Sequence, residues 1–284
     1  MRYDFTKMQA LGNDYIIFNA IAHPELLKDA ASLAKRLSDR HFGIGGDGII
    51  FAAPSTKADL KMRIFNADGS EAEMCGNGIR QLALYSYYKG LVSKLNINIE
   101  TLAGVKNIQM KKSTSEKIDS IKVNMGAPIL EPEKIPVIAE KNNNSFAKKN
   151  ITVIDRNFDF TFVSMGNPHA IAFVSDLKNF GVEKYGRIVE NLTEIFPKRT
   201  NVEFIEIINK SEIKMRVWER GSGETLACGT GASASVVACI LNGVTENKVL
   251  VHLLGGDLKI EWEKNGNVMM EGNAEVSFEG YVEI

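Results

Sequence analysis

Lys61-Met62-Arg63-Ile64-Phe65 runs into a polar, Gly-containing turn and then Cys75-Gly76-Asn77-Gly78, while Lys214-Met215-Arg216-Val217-Trp218 runs into another such turn and then Cys228-Gly229-Thr230-Gly231. Lys61 to Lys214 and Cys75 to Cys228 are the same step of 153 residues. Two further matches fall nearly in step. Gly12-Asn13 answers Gly166-Asn167, and Asp47 with Ile49-Ile50-Phe51 answers Asn201 with Val202-Glu203-Phe204-Ile205. Four ordered matches at steps of 153 or 154 describe two halves of one design, and a repeat of this kind decides an architecture before any single element does. Duplicated halves can face each other across a cleft, so that two equivalent groups meet one ligand from opposite sides.

Around each cysteine the local pattern is the same. Residues 61–66 and 214–219 alternate apolar and polar positions, as half-buried strands do. After each CGxG the spacing turns helical. One helix is expected to run through Ile79, Leu82, Ala83 and Leu84 to Tyr88 with Gly90 as its stop, and another from Ala232 to Leu241 with Gly243 as its stop. Each cysteine therefore sits at or just before a helix N-terminus, flanked by glycines that leave backbone N–H groups bare. Residues 25–39 read as an amphipathic helix through Leu26, Leu27, Ala30, Leu33, Ala34 and Leu37. Most other apolar segments (97–101, 121–125, 151–154, 160–164, 171–174, 203–208, 248–253 and 257–262) are of strand length and bounded by turns. Many strands with few helices imply an α+β fold. Ala139 to Asn150, with its Lys-Asn-Asn-Asn-Ser run, reads as a solvated loop, and a domain boundary is expected near Gly126-Ala127-Pro128.

Composition narrows the function. The 284 residues are 44% apolar and 24% charged, enough for two modest domains with separate cores. A net charge of −1 from 34 basic and 35 acidic residues gives no basic excess for nucleic acid or anionic lipid. Charges in Met1–Lys7 occupy the place where a signal peptide needs an apolar core, and no apolar run approaches the ~20 residues that span a bilayer. No nucleic-acid or membrane partner is expected, and the chain reads as cytoplasmic. Three cysteines, Cys75, Cys228 and Cys239, are too few and scattered for a disulfide framework.

A thiolate is a good base, and a helix N-terminus is one of the places where a thiol's pKa drops, because unpaired N–H groups and the dipole favour negative charge. The same N–H groups can hold a carboxylate. A substrate carboxylate set between two such helix ends would place one cysteine on either face of the neighbouring carbon. One thiolate could then remove the α-proton while the opposite thiol delivers another, and the scheme needs neither metal nor organic cofactor. The four histidines, His23, His41, His169 and His252, are dispersed and do not join the cysteines at zinc-site spacing. Neither cysteine lies in a CxxC motif, and Cys239, within Val236–Leu241, reads as a small buried hydrophobe. Gly43-Ile44-Gly45-Gly46-Asp47-Gly48 satisfies GxGxxG, but a helix precedes it and a strand follows, the reverse of a dinucleotide-binding turn. A ligand-lining turn remains open there.

Taken together, Leu11-Gly12-Asn13-Asp14-Tyr15, Phe65–Ser70 ahead of Cys75-Gly76-Asn77-Gly78, Gly166-Asn167-Pro168-His169, and Trp218-Glu219-Arg220-Gly221 ahead of Cys228-Gly229-Thr230-Gly231 resemble the diaminopimelate epimerase family. The likeness covers essentially the whole chain in order. It implies two pseudo-symmetric lobes, each a curved, mostly antiparallel, barrel-like sheet around a central helix, with the active site in the cleft between them. The lobes would be 1–126, completed by a strand over 274–284, and 127–273. By the same resemblance Cys75 and Cys228 are the acid/base thiols, and His169 and Glu219 tune them. Asn13, Asn66, Asn167, Asn201, Glu219 and Arg220 surround a small amino-acid substrate, with Gly76-Asn77 and Gly229-Thr230 supplying donors at the helix ends. The implied reaction interconverts LL- and meso-diaminopimelate on the route to lysine and cell-wall peptide, and the implied assembly is a homodimer through the C-terminal strand near Phe278.

Gly48 stands where many family members carry glutamine, so no side chain can reach the substrate from that position. A racemase for another amino acid, such as histidine or a lanthionine-like diacid, is the alternative on the same scaffold. Proline racemase-like enzymes have a CGHG turn in place of Cys75-Gly76-Asn77-Gly78, and PhzF-like isomerases lack the cysteine pair. A binding protein without catalysis would have no need of both thiols.

Overall fold

The computed structural model describes residues 1–139 and 146–284. Its elements group into two units, one made of Met1–Asn124 with Glu271–Ile284 and the other of Met125–Met270. The boundaries read from the sequence lie two and three residues further along, at 126/127 and 273/274. The fold is α+β.

The first unit contains strands β1 (Arg2–Ala10) and β2 (Asn13–Asn19), helix α1 (Ala30–Ser38), and strands β3 (Gly48–Ala53), β4 (Leu60–Asn66) and β5 (Glu71–Ala72). Helix α2 (Gly76–Tyr88) and strands β6 (Asn96–Thr101), β7 (Gly104–Lys112) and β8 (Ile118–Gly126) follow. β1 pairs antiparallel with β2, β2 parallel with β3, β3 antiparallel with β4, β4 parallel with β6, and β6 antiparallel with β7. β3 is buried at every position, because both faces of the sheet are covered. Ile49 and Phe51 join Leu33 and Leu37 of α1 in one core, whereas Ile50, on the opposite face, reaches α2 at Gly78.

The second unit repeats this plan. Its elements are β9 (Lys148–Val153), β10 (Arg156–Ser164), β11 (Pro168–Phe173), α3 (Val182–Glu190), β12 (Asn201–Asn209), β13 (Glu212–Glu219), β14 (Gly223–Thr225), α4 (Gly229–Leu241), β15 (Lys248–Leu253) and β16 (Gly256–Trp262). β17 (Val268–Gly272) and β18 (Glu275–Glu283) close the chain. β10 pairs antiparallel with β11, β11 parallel with β12, β12 antiparallel with β13, β13 parallel with β15, and β15 antiparallel with β16. Each relation copies the corresponding one in the first unit. β18 lies antiparallel beside β1 as β9 lies beside β10. In this unit Val202 and Phe204 join Val182, Tyr185 and Val189 of α3 in the core, so strand alternation turns Glu203 to the α4 face.

Two sequence expectations change, and one helix was not expected. The helix expected over 25–39 begins as a 3-10 turn, Pro24–Asp29, and becomes α-helical only at Ala30. The solvated loop expected over 139–150 ends early: residues 140–145 lie outside the described residues, but Phe146 and Ala147 are buried and Lys148–Asn150 open β9. Exposed lysines on an edge strand look like a loop until Asn150 is seen bonding across to Asp159 at 2.7 Å. α3, unread in the sequence, carries Gly186 in mid-helix. A Cβ there would stand 2.5 Å from that of Trp218, so only glycine lets the helix pack on β13.

Candidate active site

In the first unit the sheet brings one set of residues to one end: Asn13 opens β2, Gly48 opens β3, and Asn66 ends β4. Cys75 is the N-cap of α2, and its sulfur accepts the Gly78 N–H at 3.4 Å and donates to Asn13 Oδ1 at 3.5 Å. Asn13 is itself held. Its Nδ2 donates to Asp47 Oδ2 at 2.6 Å, and Gln81 Nε2 donates to its carbonyl at 2.9 Å. Arg40 ties Asp47 to Asp14 at 2.9 and 2.7 Å, and the buried Lys7 pairs with Asp14 at 2.6 Å. Burial works against the Asp14 carboxylate, yet the hydrogen bonds and charges of Arg40 and Lys7 prevail and hold it below its ordinary pKa. The GxGxxG segment thus serves as the mount for Asp47 and, through it, for Asn13.

Beneath the same helix end, the fully buried Arg80 donates to Gly76 O at 3.1 Å, Asn77 Oδ1 at 2.9 Å and Asn273 O at 3.1 Å. Burial lowers its pKa to about 10, against the opposing pull of Cys75. Burial, then the neighbouring Cys75, pushes the Tyr15 hydroxyl well up. Asn66 Nδ2 donates to Ser70 Oγ at 3.0 Å. Gly48 has a steric reason: a Cβ there would lie 2.1 Å from the Phe65 carbonyl oxygen, so this backbone approach admits no larger residue without shifting.

The second unit repeats the arrangement with different chemistry. Pro168 opens β11, Asn201 opens β12 and Glu219 ends β13. Cys228 is the N-cap of α4, and its sulfur accepts the Gly231 N–H at 3.4 Å and lies 3.5 Å from Thr230 Oγ1. Here the expected lowering of a thiol at a helix end fails. Burial first, and then the charges of Glu219 and Glu203, push the Cys228 thiol well above its usual value, outweighing the Thr230 and Gly231 hydrogen bonds.

His169 and Glu203 are both fully buried, with Nδ1 2.7 Å from Glu203 Oε1. His169 Nε2 meets Asn167 Oδ1 at 3.0 Å, and Asn167 Nδ2 donates to Thr230 Oγ1 at 3.3 Å. The path from His169 to Cys228 therefore runs through Asn167 and Thr230. Glu219 Oε1 accepts the Thr225 hydroxyl. Asn201 is spent at both ends of its amide: Oδ1 accepts the Arg220 N–H at 3.0 Å, and Nδ2 donates to Pro168 O at 2.8 Å. The Arg220 guanidinium is exposed, with Nη1 on Lys198 O at 2.9 Å. Glu190 braces this turn from α3, accepting the Gly221 N–H and Trp218 Nε1–H at 2.7 Å each and pairing with Arg199.

Cys239 lies fully buried in α4, and burial pushes its thiol up to about 12. Among the described residues no cluster of three or more His, Cys, Asp or Glu side chains is placed to hold a metal ion, and no helix is long and apolar enough to cross a membrane. Sequence reasoning missed Arg80, Glu190 and Glu203. Glu203 left a signal, since it stands in an apolar strand where the repeat has Ile50.

A family model described as diaminopimelate epimerase matches residues 5–131 and 161–277. The chain belongs to the diaminopimelate epimerase family. Curated diaminopimelate epimerases resemble it along nearly their whole length: one from Acetivibrio thermocellus is 50% identical over 281 residues, covering 99% of this chain and 98% of the relative. Another, from Agathobacter rectalis, is 52% identical over 288 residues, covering 99% of each. Among solved structures, a PhzF-family phenazine biosynthesis protein from Bacillus anthracis matches at a TM-score of 0.70 and 18% identity, over 100% of both chains. A hydroxyproline epimerase from Agrobacterium vitis matches at 0.69 and 13% identity, over 99% of this chain and 92% of the other. At such identities these two establish the fold that diaminopimelate epimerase family members share with them, and nothing about substrate.

Proposed function

We propose that this chain interconverts LL- and meso-diaminopimelate with Cys75 and Cys228 as its acid and base and without pyridoxal phosphate. The observation that carries the reading is the pair of N-cap cysteines, each in the same turn of the repeat and each accepting the N–H three residues on. In the reaction the Cα–H bond breaks, its proton passes to one sulfur, and the electron pair is delocalised into the substrate carboxylate. The S–H bond of the other cysteine then breaks to protonate the opposite face of the carbon. Charge gathering on the carboxylate is met by preorganised donors, which the first turns of α2 and α4 supply at Gly76-Asn77 and Gly229-Thr230.

Cys228, held as a thiol, begins as the donor when the α-proton leaves toward Cys75, and the roles exchange in the reverse direction. Arg220, exposed and carried on a braced turn, is assigned to the distal carboxylate, where its planar fork matches two oxygens. Asn13, Asn66 and Asn167 offer donors and acceptors to the amino groups and carboxylates, Asn201 aligns the Arg220 backbone, and His169 and Glu219 tune the thiols. We place the enzyme in the cytoplasm as a homodimer supplying lysine and peptidoglycan precursors. Its β18 carries Phe278 and Tyr281 half-exposed, as a pairing surface requires.

Incubation with LL-diaminopimelate in deuterated water, with no added cofactor, should place deuterium at one α-carbon. A panel of amino acids in the same assay separates this substrate from other racemase substrates. Cys75→Ala and Cys228→Ala should each lower turnover about a thousandfold with unchanged circular dichroism. Full turnover by either variant would remove the two-thiol scheme.

A further inference from the structure

The two halves differ under the second glycine of each helix's first turn. A Cβ on Gly78 would meet Ile50 Cδ1 at 2.9 Å, whereas a Cβ on Gly231 would meet Glu203 Oε1 at 2.7 Å. In register, β2 carries Tyr15 opposite Gly48, and β11 carries His169 opposite Asn201. The Ile50 and Tyr15 of the first unit are exchanged for a buried acid and imidazole on the Cys228 side.

Hydrogen-bond directions then follow in sequence. Asn167 turns its NH2 to Thr230, so its Oδ1 faces His169 and needs a donor. His169 Nε2 must therefore carry hydrogen. Glu203 Oε2 is buried and, among the described residues, has no hydrogen-bond partner, so an ionised Glu203 would strand half its charge in the core. The form that satisfies both groups has the acid proton on Oε1, donated to a bare His169 Nδ1. Thr230, already accepting from Asn167, is left with its own hydrogen directed at the Cys228 sulfur. Burial, more than the opposing pull of His169, raises the Glu203 pKa, in keeping with a retained proton.

We propose that Glu203 is a positioning residue for the epimerisation: by donating to His169 Nδ1 it sets the tautomer that orients Asn167 and thereby aims the Thr230 hydroxyl at the Cys228 sulfur. The Glu203–His169–Asn167–Thr230 hydrogen-bond series makes no proton transfer to substrate. It supplies a hydrogen bond to the thiolate left when Cys228 gives up its proton, which is the moment that needs one. Charge-assisted bonds of this kind are about twice as strong as neutral ones. Glu203 thus acts on turnover more than on substrate binding, which it reaches only through Asn167. The inference rests on the two-thiol reading of the active site.

Two measurements on the full chain test it. Nitrogen-15 NMR of histidine-labelled protein, with the His169 ring assigned by its loss in His169→Gln, should show a neutral ring protonated at Nε2 in the wild type and in Glu203→Gln, whose amide can donate to Nδ1. An imidazolium ring or an Nδ1–H tautomer in the wild type would overturn the inference, whatever the substrate proves to be. In steady-state kinetics Glu203→Leu and Thr230→Val should each lower kcat about tenfold or more and change KM by a smaller factor. Glu203→Gln should keep kcat within about threefold, and Glu203→Leu combined with Thr230→Val should be no slower than the worse single variant, because one chain serves both. A Glu203→Leu kcat near that of the wild type, a Glu203→Gln as slow as Glu203→Leu, or losses that multiply would each refute it. Glu203→Met replaces Glu203→Leu if the branched side chain prevents folding. A wild type inactive on diaminopimelate but with the expected tautomer would sink the substrate assignment alone.

Discussion

Two glycines at matched positions show how far one methyl group can reach. Alanine favours a helix by about 1 kcal/mol over glycine, so Gly78→Ala and Gly231→Ala would each stabilise a free helix. In the folded chain the added carbon at 78 meets the tip of Ile50, which can rotate away, and Met62 Cε at 3.3 Å. At 231 it meets the Glu203 carboxyl, locked by His169, and the Cys228 sulfur at 3.2 Å. Gly231→Ala is therefore expected to lose about 1–3 kcal/mol, the usual range for overpacking, and most of its turnover, while Gly78→Ala stays near wild-type stability. Urea denaturation and kcat for the two variants check the order, and the reverse order would refute the packing argument. Asp14 gives a pH signature at the same scale. Its folded pKa lies below the ordinary 3.8, so it adds stability above that pH and loses it as the pH falls through the lower folded value. Asp14→Asn should flatten the acid limb of the stability curve there and, at neutral pH, weaken the fold by leaving Lys7 buried without its carboxylate. An unchanged acid limb would show that Asp14 contributes nothing to it.

Among the elements, α3 connects packing to the turn whose Arg220 is assigned to the substrate. Its glycine at 186 lets Trp218 close against it, and its last residue, Glu190, gathers Trp218 Nε1, the Gly221 N–H and Arg199 onto one buried carboxylate. Those contacts hold the turn that bears Glu219 and Arg220. Removing a buried acceptor strands its donors at about 1–3 kcal/mol each. Glu190→Ala should accordingly destabilise the chain by several kcal/mol and raise KM more than it lowers kcat, because Arg220 loses its fixed backbone while both sulfurs keep theirs. Thermal unfolding and steady-state kinetics decide this. A KM at the wild-type value would make Glu190 a purely structural group.

For the molecule as a whole, the sequence was most legible where its signals are local and repeated. The two cysteine turns announce the duplication, and Gly90 and Gly243 sit just past the ends of α2 and α4 with φ of +68° and +69°, the left-handed stop that glycine adopts freely. What stayed hidden depends on distant partners. Glu203 looks like an outward position of a half-buried strand until α4 covers that face, and β18, exposed along most of its length with its ladder to β1 at the far end of the chain, is expected only through the family resemblance. That ladder has a consequence for folding. The second unit is one continuous stretch, Met125–Met270, with its own aromatic core of Phe158, Phe160, Phe162, Phe180 and Phe204 and its own edge strand β9. The first needs both ends of the chain, and without residues 271–284 the backbone of β1 loses the partner that Phe5, Thr6 and Lys7 face in Gly280, Glu279 and Phe278. A fragment of residues 125–270 is therefore expected to unfold cooperatively on its own, whereas residues 1–124 alone present an open sheet edge and should aggregate or stay uncooperative until a 271–284 peptide is added. Circular dichroism melts of the two fragments, with and without the peptide, measure this directly. A cooperative melt from 1–124 alone would mean that β18 adds nothing the first unit requires.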